Sequence, residues 1–547
     1  MLALHGSVPP EASNSSLRMQ KMNSPEKKSW DIVRKSITEG IPTLGEALEK
    51  TGYGKYSYFV VFTAGVNVLA SIFTTLTLSY VVPATDCDLN LSTGEKGLLS
   101  TMLFTGMLFT SHLFGYLADE YGRKYIVIRC NFASSFLSFV SAFCPGLVSL
   151  ATISLLNGAC TAGVIIPSYV FVGENIRLSN RPVSILVTGA IGNLSTAMLP
   201  ALAILIIPLT FQWDVFGYFT FSSWRVILLL SSLPPLIGAL SFSMLHESPK
   251  YLLSKGLKQE ALDVIKHIYS VNTGRPAKEF PIQKSIRLDP GEIDSSLESD
   301  HGSIKRVWTQ TVLLFQKPLL KFTVKSCFIQ AGLVGACNII FLWLPQLVKQ
   351  MMNYAVDHPT YGVTLCEVAQ LNKPLEVVLN PTNLTENLEY DLADVPCVAD
   401  VPVDTYYVSF AMGVCQLIVF IISGGLARLI GSKSLLVFFT FLCAGLCFGM
   451  TLATDMWITI VCMAAQGVVL AACLPMCIGI LIEFFPTTVR STASCICMVC
   501  GRLASTIGTQ VVGLMQENYC DISYWGLSVL LIGIGVLVIL TPTIRKA

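Results

Sequence analysis

The sequence predicts an all-α membrane protein with twelve transmembrane helices, arranged as two six-helix halves related by pseudo-twofold symmetry. Three observations predict this fold class: the composition is strongly apolar, long apolar runs alternate with short charged loops, and motifs recur at a constant offset. Of the 547 residues, 53% are hydrophobic and 13% are charged. A chain of this size with so few charges is too apolar to be soluble, so it is expected to lie in a bilayer.

A short charged turn at residues 115–124, with the sequence GYLADEYGRK, joins two of the apolar runs. The turn is too short to hold a folded domain, so the flanking runs are predicted to be neighbouring membrane spans. A degenerate copy, GGLARLIGSK, follows 309 positions later at residues 424–433. The same offset relates Glu174 to Glu483, Arg181 to Arg490 and Gly192 to Gly501. The chain is therefore interpreted as a duplicated membrane protein.

The distribution of basic residues predicts the topology. Lysine and arginine outside the apolar runs concentrate in alternate loops and in the terminal segments, and twelve spans with both termini cytoplasmic preserve this sorting. The spans are predicted at about residues 57–82, 97–116, 125–143, 148–172, 183–208, 224–245, 322–348, 405–427, 434–453, 456–482, 489–515 and 522–541. At the outer end of the sixth span, Trp224 is expected to be an aromatic anchor and Arg225 a snorkelling cation.

These spans divide the chain into five predicted segments. They are a cytoplasmic N-terminal tail (1–56), an N-terminal six-helix bundle (57–245), a cytoplasmic linker with an amphipathic helix (246–321), a C-terminal six-helix bundle (322–541) that includes an outer loop (350–404), and a cytoplasmic tail (542–547). The outer loop carries a glycosylation sequon at Asn383. It also holds Cys366 and Cys397, for which a mutual disulfide is one hypothesis and two free thiols are the alternative.

Arg502 is the most informative single residue, because it lies about twelve positions into a span and so near the middle of the bilayer. The duplication matches it with Asn193, so both halves place a polar group at equivalent depth. A cation at this depth must face a cavity or a partner, which favours an anion or carboxylate contact. Pairing with backbone carbonyls, or with a neighbour such as Gln466 or Asn338, is the structural alternative.

Other polar and aromatic residues in the spans are weaker candidates for a solute site. Amides within spans can line a cavity, although each alone is better explained by an interhelical hydrogen bond, and aromatic residues in spans usually pack against their neighbours. The candidates are Asn67, Asn157, Asn338, Gln416, Gln466 and Trp343. No Asp or Glu lies near the middle of any predicted span, so facilitated diffusion or exchange is simpler than proton coupling.

Charged residues at the predicted cytoplasmic ends form a candidate inner gate. A carboxylate and cations on facing helix ends can pair when the halves close there and separate when they open. The gate residues in the first half are Asp119, Arg123, Glu174 and Arg181, and those in the second half are Arg428, Glu483 and Arg490. The alternative is that they are ordinary topology charges in headgroup water.

The charged turn at 115–124 and its copy resemble the repeated cytoplasmic loop of the major facilitator superfamily. ESPKYLL at 247–253 resembles an element of sugar and organic-ion transporters. GYGKY at 52–56, FSSWR at 221–225 and EFFPTTVR at 483–490 resemble the synaptic vesicle glycoprotein 2 family. Two positions depart from the pattern, since Arg428 stands where the first copy has Asp119, and the first span has no acidic residue.

This resemblance implies a transporter that moves a small organic solute, with an anion favoured, by alternating access. The alternative is a non-transporting vesicle membrane receptor or regulator on the same fold. An enzyme is not expected, since no catalytic His, Ser or metal cluster shares one membrane depth. We expect no cofactor, no metal and no nucleic-acid partner, and a monomer in the plasma membrane or an intracellular vesicle whose partners are the lipid bilayer and the solute.

Overall fold

A computed structural model describes residues 41–89, 91–209, 211–215, 218–288, 311–317, 319–357, 362–371, 402–483, 485, 490–516 and 519–541. Within this part of the chain, eleven helices are long and apolar enough to cross a membrane. A twelfth helix of 19 residues, Arg123–Ser141, is more polar because it carries three basic residues and four serines. The helical architecture confirms the predicted fold class, with one short β-hairpin as an addition.

The first half begins with a short helix before the first span and ends at the start of the linker. Its elements are α1 (Leu44–Lys50), α2 (Lys55–Val81), α3 (Asp86–Leu89), α4 (Thr93–Tyr121), α5 (Arg123–Ser141), α6 (Leu147–Asn175), α7 (Arg181–Asn193), α8 (Ser195–Ile206), β1 (Gln212–Val215), β2 (Phe219–Ser222), α9 (Ser223–Leu230) and α10 (Leu233–Ser243).

The linker and the second half follow with the same helical character. Their elements are α11 (Pro249–Ser254), α12 (Lys258–Thr273), α13 (Leu320–Asp357), α14 (Leu365–Leu371), α15 (Asp404–Ile430), α16 (Ser432–Leu452), α17 (Met456–Glu483), α18 (Arg490–Met515) and α19 (Cys520–Ile539). Short 3-10 turns occur at Val82–Ala84 and Ala277–Glu279.

Two of the predicted spans are interrupted rather than continuous. The fifth is broken at Leu194, between α7 and α8, where the hydroxyls of Ser195 and Thr196 donate to the carbonyls of Gly192 and Asn193. The sixth is broken between α9 and α10, and the second piece begins with prolines in its first turn, where a missing N–H costs least. Interrupted helices are tolerated in membranes only where the freed backbone groups find other partners.

Glycines at equivalent positions of the repeat have the same structural roles in each half, ending a helix or allowing two helices to pack closely. Gly122 and Gly431 end α4 and α15 with positive φ values of 103° and 87°, a conformation that favours glycine. A Cβ on Gly192 would meet Val68 of α2, and one on Gly501 would meet Val334 of α13. Each therefore lets its helix pack closely on the first span of its own half. These matched contacts support the duplication.

The hairpin β1–β2 lies at the N-terminal end of α9, where Asp88 forms hydrogen bonds to residues of both β2 and α9. The Asp88 carboxylate accepts hydrogen bonds from Trp224 Nε1 and Ser222 Oγ, both at 2.6 Å. Arg225 is 1% exposed and donates to the carbonyls of Ala142 and Cys144 at 3.1 and 2.6 Å. The expected boundary roles of Trp224 and Arg225 were wrong, because both side chains are buried, with Trp224 bonded to Asp88 and Arg225 to backbone carbonyls.

The predicted disulfide partner of Cys366 was also wrong. Cys366 lies on α14 and is bonded to Cys520 at the start of α19, with a Cα–Cα distance of 5.4 Å and a sequence separation of 154. Cys397 lies outside the described residues. The prediction considered only a cysteine of the same loop as the partner. The fold instead places the start of the last span against the short helix α14, within the distance that a disulfide requires.

Removing this disulfide is expected to destabilise the second half. Cys366→Ser and Cys520→Ser should each lower the thermal unfolding midpoint, because a bond that closes so long a loop typically contributes about 2–4 kcal/mol. The double variant should be no less stable than either single variant, and Cys415→Ser, at an exposed unpaired thiol, should have little effect. Non-reducing peptide mapping that found Cys366 joined to Cys397 would contradict this pairing.

Compactness separates the described chain into a small unit and a large one. Among the described residues, the small unit holds the ends of several helices and the start of the linker, at residues 41–60, 171–184 and 246–288, and the large unit holds the others. Within the small unit, the Asn272 amide donates to Gly52 O at 3.3 Å and to Ser57 Oγ at 3.1 Å. These bonds attach α12 of the linker to the start of α2.

Candidate functional site

Arg502 lies at the thirteenth of the 26 residues of α18 and is 7% exposed. Its Nη1 donates to the backbone carbonyl of Met107, at the middle of α4 in the other half, over 3.3 Å. Among the described residues, no carboxylate lies within 4.0 Å of its guanidinium. A buried cation at the middle of a membrane helix therefore bonds a neutral carbonyl and has no described counter-ion.

Asn193 makes the equivalent contact from the first half. Its Oδ1 accepts a hydrogen bond from Gln416 Nε2 of α15 at 3.1 Å, and its Nδ2 donates to Gly189 O at 2.9 Å. The repeat offset of 309 positions relates Asn193 to Arg502 and Met107 to Gln416. The two hydrogen bonds thus join equivalent pairs of positions in opposite directions, since Gln416 donates to the Asn193 side chain whereas Arg502 donates to the Met107 carbonyl.

Three further hydrogen bonds join the halves at the helix ends predicted to face outward. Tyr406 Oη donates to Tyr80 O at 3.2 Å, and Lys349 Nζ donates to Pro83 O at 2.7 Å. Gln510 Nε2 donates to Gly94 O at 3.2 Å. Each bond ends on a backbone carbonyl, so the halves close there without any requirement for a matched side chain on the partner.

Glycine allows the two halves to approach along α15. A Cβ on Gly413 would lie 2.5 Å from the carbonyl oxygen of Thr196 and 2.7 Å from the nitrogen of Ala197, at the start of α8. Both are backbone atoms, which cannot rotate away. Gly413 therefore permits a direct contact between α15 and the broken fifth span, beside the bond between Asn193 and Gln416.

Three of the other candidate solute ligands, Asn67, Asn338 and Trp343, form hydrogen bonds within their own half. Asn67 is fully buried, donates to Thr63 O and accepts from Asn131 Nδ2 at 2.6 Å. Asn338 donates to Ser505 Oγ at 2.8 Å, and Trp343 donates to Thr509 O at 3.1 Å. Gln466 is buried in the second half, and neither Nε2 nor Oε1 of its side chain has a hydrogen-bond partner among the described residues. These contacts connect helices inside each bundle, whereas Arg502 and Asn193 reach across to the other one.

Asp119 and Arg123, two of the candidate gate residues, form an ion pair of 2.7 Å across the turn between α4 and α5. Glu174, in the other compact unit, accepts a hydrogen bond of 2.5 Å from Ser248 Oγ, and Ser248 caps α11. Arg181 begins α7.

Four of the predicted gate and glycosylation residues have side chains outside the described part of the structure. Arg428, Glu483 and Arg490 belong to α15, α17 and α18, but their side chains lie outside the described part, as does all of Asn383. Their roles stay predictions.

Met107 and Gly413 were not predicted as parts of the site. The carbonyl of Met107 leaves no trace in a sequence, because every residue has one. The duplication nevertheless pointed to it, because Met107 lies 309 positions before Gln416, a polar residue within a span. For Gly413 there was no comparable signal, because an interhelical glycine looks like any other glycine in an apolar span.

The Major Facilitator Superfamily model matches residues 61–370 of the chain. The mouse synaptic vesicle glycoprotein 2C is 24% identical over 324 residues, which cover 56% of this chain and 44% of that protein. Organic cation/carnitine transporter 7 of Arabidopsis thaliana is 24% identical over 509 residues, which cover 91% of this chain and 94% of that protein.

A solved structure of the E. coli xylose transporter XylE, in a partially occluded inward-open conformation, superposes with a TM-score of 0.62. It is 14% identical and covers 89% of this chain and all of XylE, a likeness that shows the fold alone. The chain spans about half the length of the vesicle glycoproteins that it matches, but nearly all of the plant transporter. The family model covers more than half of the chain, and on that basis the chain belongs to the major facilitator superfamily.

Proposed function

We propose that the chain carries a small organic solute across a membrane by alternating access between its two halves. The observation that supports this most strongly is the repeated pair of hydrogen bonds, from Arg502 to Met107 and from Gln416 to Asn193. Both lie at the junction of the halves, and Arg502 and Met107 lie at the middle of their helices. Transporters built from repeats bind solute near the bilayer midplane at this junction.

The two contacts differ chemically, and the difference indicates the class of solute. Arg502 offers a cation with no described counter-ion, which suits a carboxylate or another anionic group. Gln416 Oε1 is buried and accepts no hydrogen bond among the described residues, so it suits a hydroxyl or amine donor. A small hydroxylated or zwitterionic carboxylate would satisfy both. Carnitine, part of the plant relative's name, carries a carboxylate, a hydroxyl and a quaternary ammonium.

In this proposal, the charged residues at the cytoplasmic helix ends open and close the solute path. Asp119 and Arg123 are the ion pair of this gate in the first half. In this proposal both termini are cytoplasmic, and the solute diffuses or exchanges without a proton. A mid-membrane carboxylate usually couples a proton, whereas the first span has Asn67 buried in a hydrogen-bonded network.

A non-transporting receptor or regulator is the second candidate, because the vesicle glycoproteins are among the relatives. The absence of an acidic residue from the first span and the altered second charged turn favour it. In that case the junction of the halves would be a structural seam, and Arg502 would serve only to bond the Met107 carbonyl.

Purified protein in proteoliposomes separates these candidates. Uptake of radiolabelled carnitine, small hydroxycarboxylates and sugars should show saturable flux for at least one carboxylate, and the same solute should raise the thermal unfolding midpoint. Absence of both flux and thermal shift for every solute, from protein that unfolds cooperatively, would favour the receptor or regulator.

A further inference from the structure

The turn between α6 and α7 carries a serine that is tied to a carboxylate. Ser179 is exposed, and its backbone N–H donates to Glu49 Oε1 at 3.0 Å while its Oγ donates to Glu49 Oε2 at 3.2 Å. Glu49 lies near the end of α1. The turn therefore holds the N-terminal helix by two hydrogen bonds to one side chain.

Helix α1 is otherwise attached through its apolar face and its start. Leu44, Ala47 and Leu48 are buried, and the Leu44 N–H donates to Arg287 O of the linker at 2.8 Å. Tyr53 Oη also lies 3.2 Å from Ser184 Oγ. Because α1 has only 7 residues, its position depends on these few contacts.

Basic residues flank Ser179 on both sides. Arg177 precedes it by two positions and Arg181 follows it by two, in the sequence RLSNR. We propose that Ser179 is a phosphorylation site for a basophilic serine/threonine kinase, and that its phosphorylation releases α1 from the turn. The Ser179 Oγ attacks the γ-phosphorus of ATP, the bond to the ADP leaving group breaks, and the hydroxyl proton passes to solvent.

The physical consequence follows from charge and hydrogen bonding. A phosphoryl group adds a charge of about −1.5 to −2 and removes the hydroxyl donor that now bonds Glu49. A carboxylate within about 4 Å of that charge is repelled, even at an exposed site where solvent screens the interaction. We expect the open state of α1 to become at least about threefold more populated.

The test uses full-length protein in nanodiscs and amide hydrogen exchange over residues 44–50. Ser179→Glu should raise exchange at least threefold. Ser254→Glu, at an exposed serine of α11 whose Oγ donates to its own helix, should not. The double variant Ser179→Glu/Glu49→Lys should restore slow exchange, because the new charges attract. Unchanged exchange in Ser179→Glu, or no restoration in the double variant, would overturn the proposed release.

The modification itself is tested with the catalytic fragment of protein kinase C and Mg-ATP on the same preparation. Mass spectrometry should find phosphate on Ser179 and not on Ser254, and a protein left unphosphorylated at Ser179 would overturn the site. The inference rests on the cytoplasmic placement of the turn. Labelling of Ser179→Cys by an impermeant maleimide in sealed, oriented vesicles tests that placement separately, so its failure can be told apart from failure of the kinase reaction.

Discussion

Replacing Arg502 with alanine is expected to reduce the affinity for a carboxylate-bearing solute by roughly 10- to 150-fold. This range corresponds to the about 1.5–3 kcal/mol that a hydrogen bond to a charged group contributes. The guanidinium is buried, reaches the other half at Met107 and has no described counter-ion. Uptake kinetics and solute-dependent thermal shifts measure the change.

Two further variants separate the charge from the contact. Arg502→Lys keeps the charge and should retain part of the affinity, although a lysine cannot offer the same fork of donors. Gln510→Ala removes a different hydrogen bond between the halves, the one to Gly94 O, and should leave the affinity within about threefold. Unaltered uptake by Arg502→Ala would show that Arg502 only bonds the Met107 carbonyl.

Replacing Gly413 with valine is expected to reduce transport at least tenfold while the fold is retained. The added atoms would meet the backbone of Thr196 and Ala197, which cannot yield as a side chain could. Overpacking of this kind typically costs about 1–3 kcal/mol, and here the cost applies only when α15 and the fifth span are in contact. The variant should therefore disfavour the closed arrangement of the halves, and initial uptake rates should fall.

A matched control lies in the same helix. Gly424 has no atom within 4 Å of a built Cβ, so Gly424→Val adds the same volume without a clash. It should transport at close to the normal rate and unfold at a similar temperature. Equal loss of uptake in both variants would indicate damage to α15 in general and contradict a specific role for Gly413.

The sequence could predict the architecture because the bilayer imposes strong constraints. A span needs about twenty apolar residues, so the apolar runs mark the helices closely, and the duplication is visible as a constant offset. The breaks at Leu194 and between α9 and α10 were missed, because hydropathy is the same on both sides of a break. The prolines at the start of α10 were the available signal for the second one.

The candidate site was only partly predictable for a different reason. Arg502 and Asn193 stand out because polar groups in spans are costly, but a sequence does not tell which groups meet. Asn67 and Asn338 are likewise amides within apolar spans, yet their hydrogen bonds are to residues of their own halves. The partner of Cys366 was missed for the same reason, since a contact over 154 positions depends on helix packing.

Cross-linking of α4 to α18 tests alternating access most directly. A Cβ on Gly97 would lie 3.3 Å from Gln510 Oε1, so cysteines at these two positions face each other across the halves. In a variant whose unpaired cysteines are alanine, Gly97→Cys/Gln510→Cys should lose uptake when a short bis-methanethiosulfonate cross-linker joins the two thiols through disulfides. Mild reduction that leaves Cys366–Cys520 intact should restore uptake, because the halves can then separate. Full solute uptake by protein that is completely cross-linked would contradict the account.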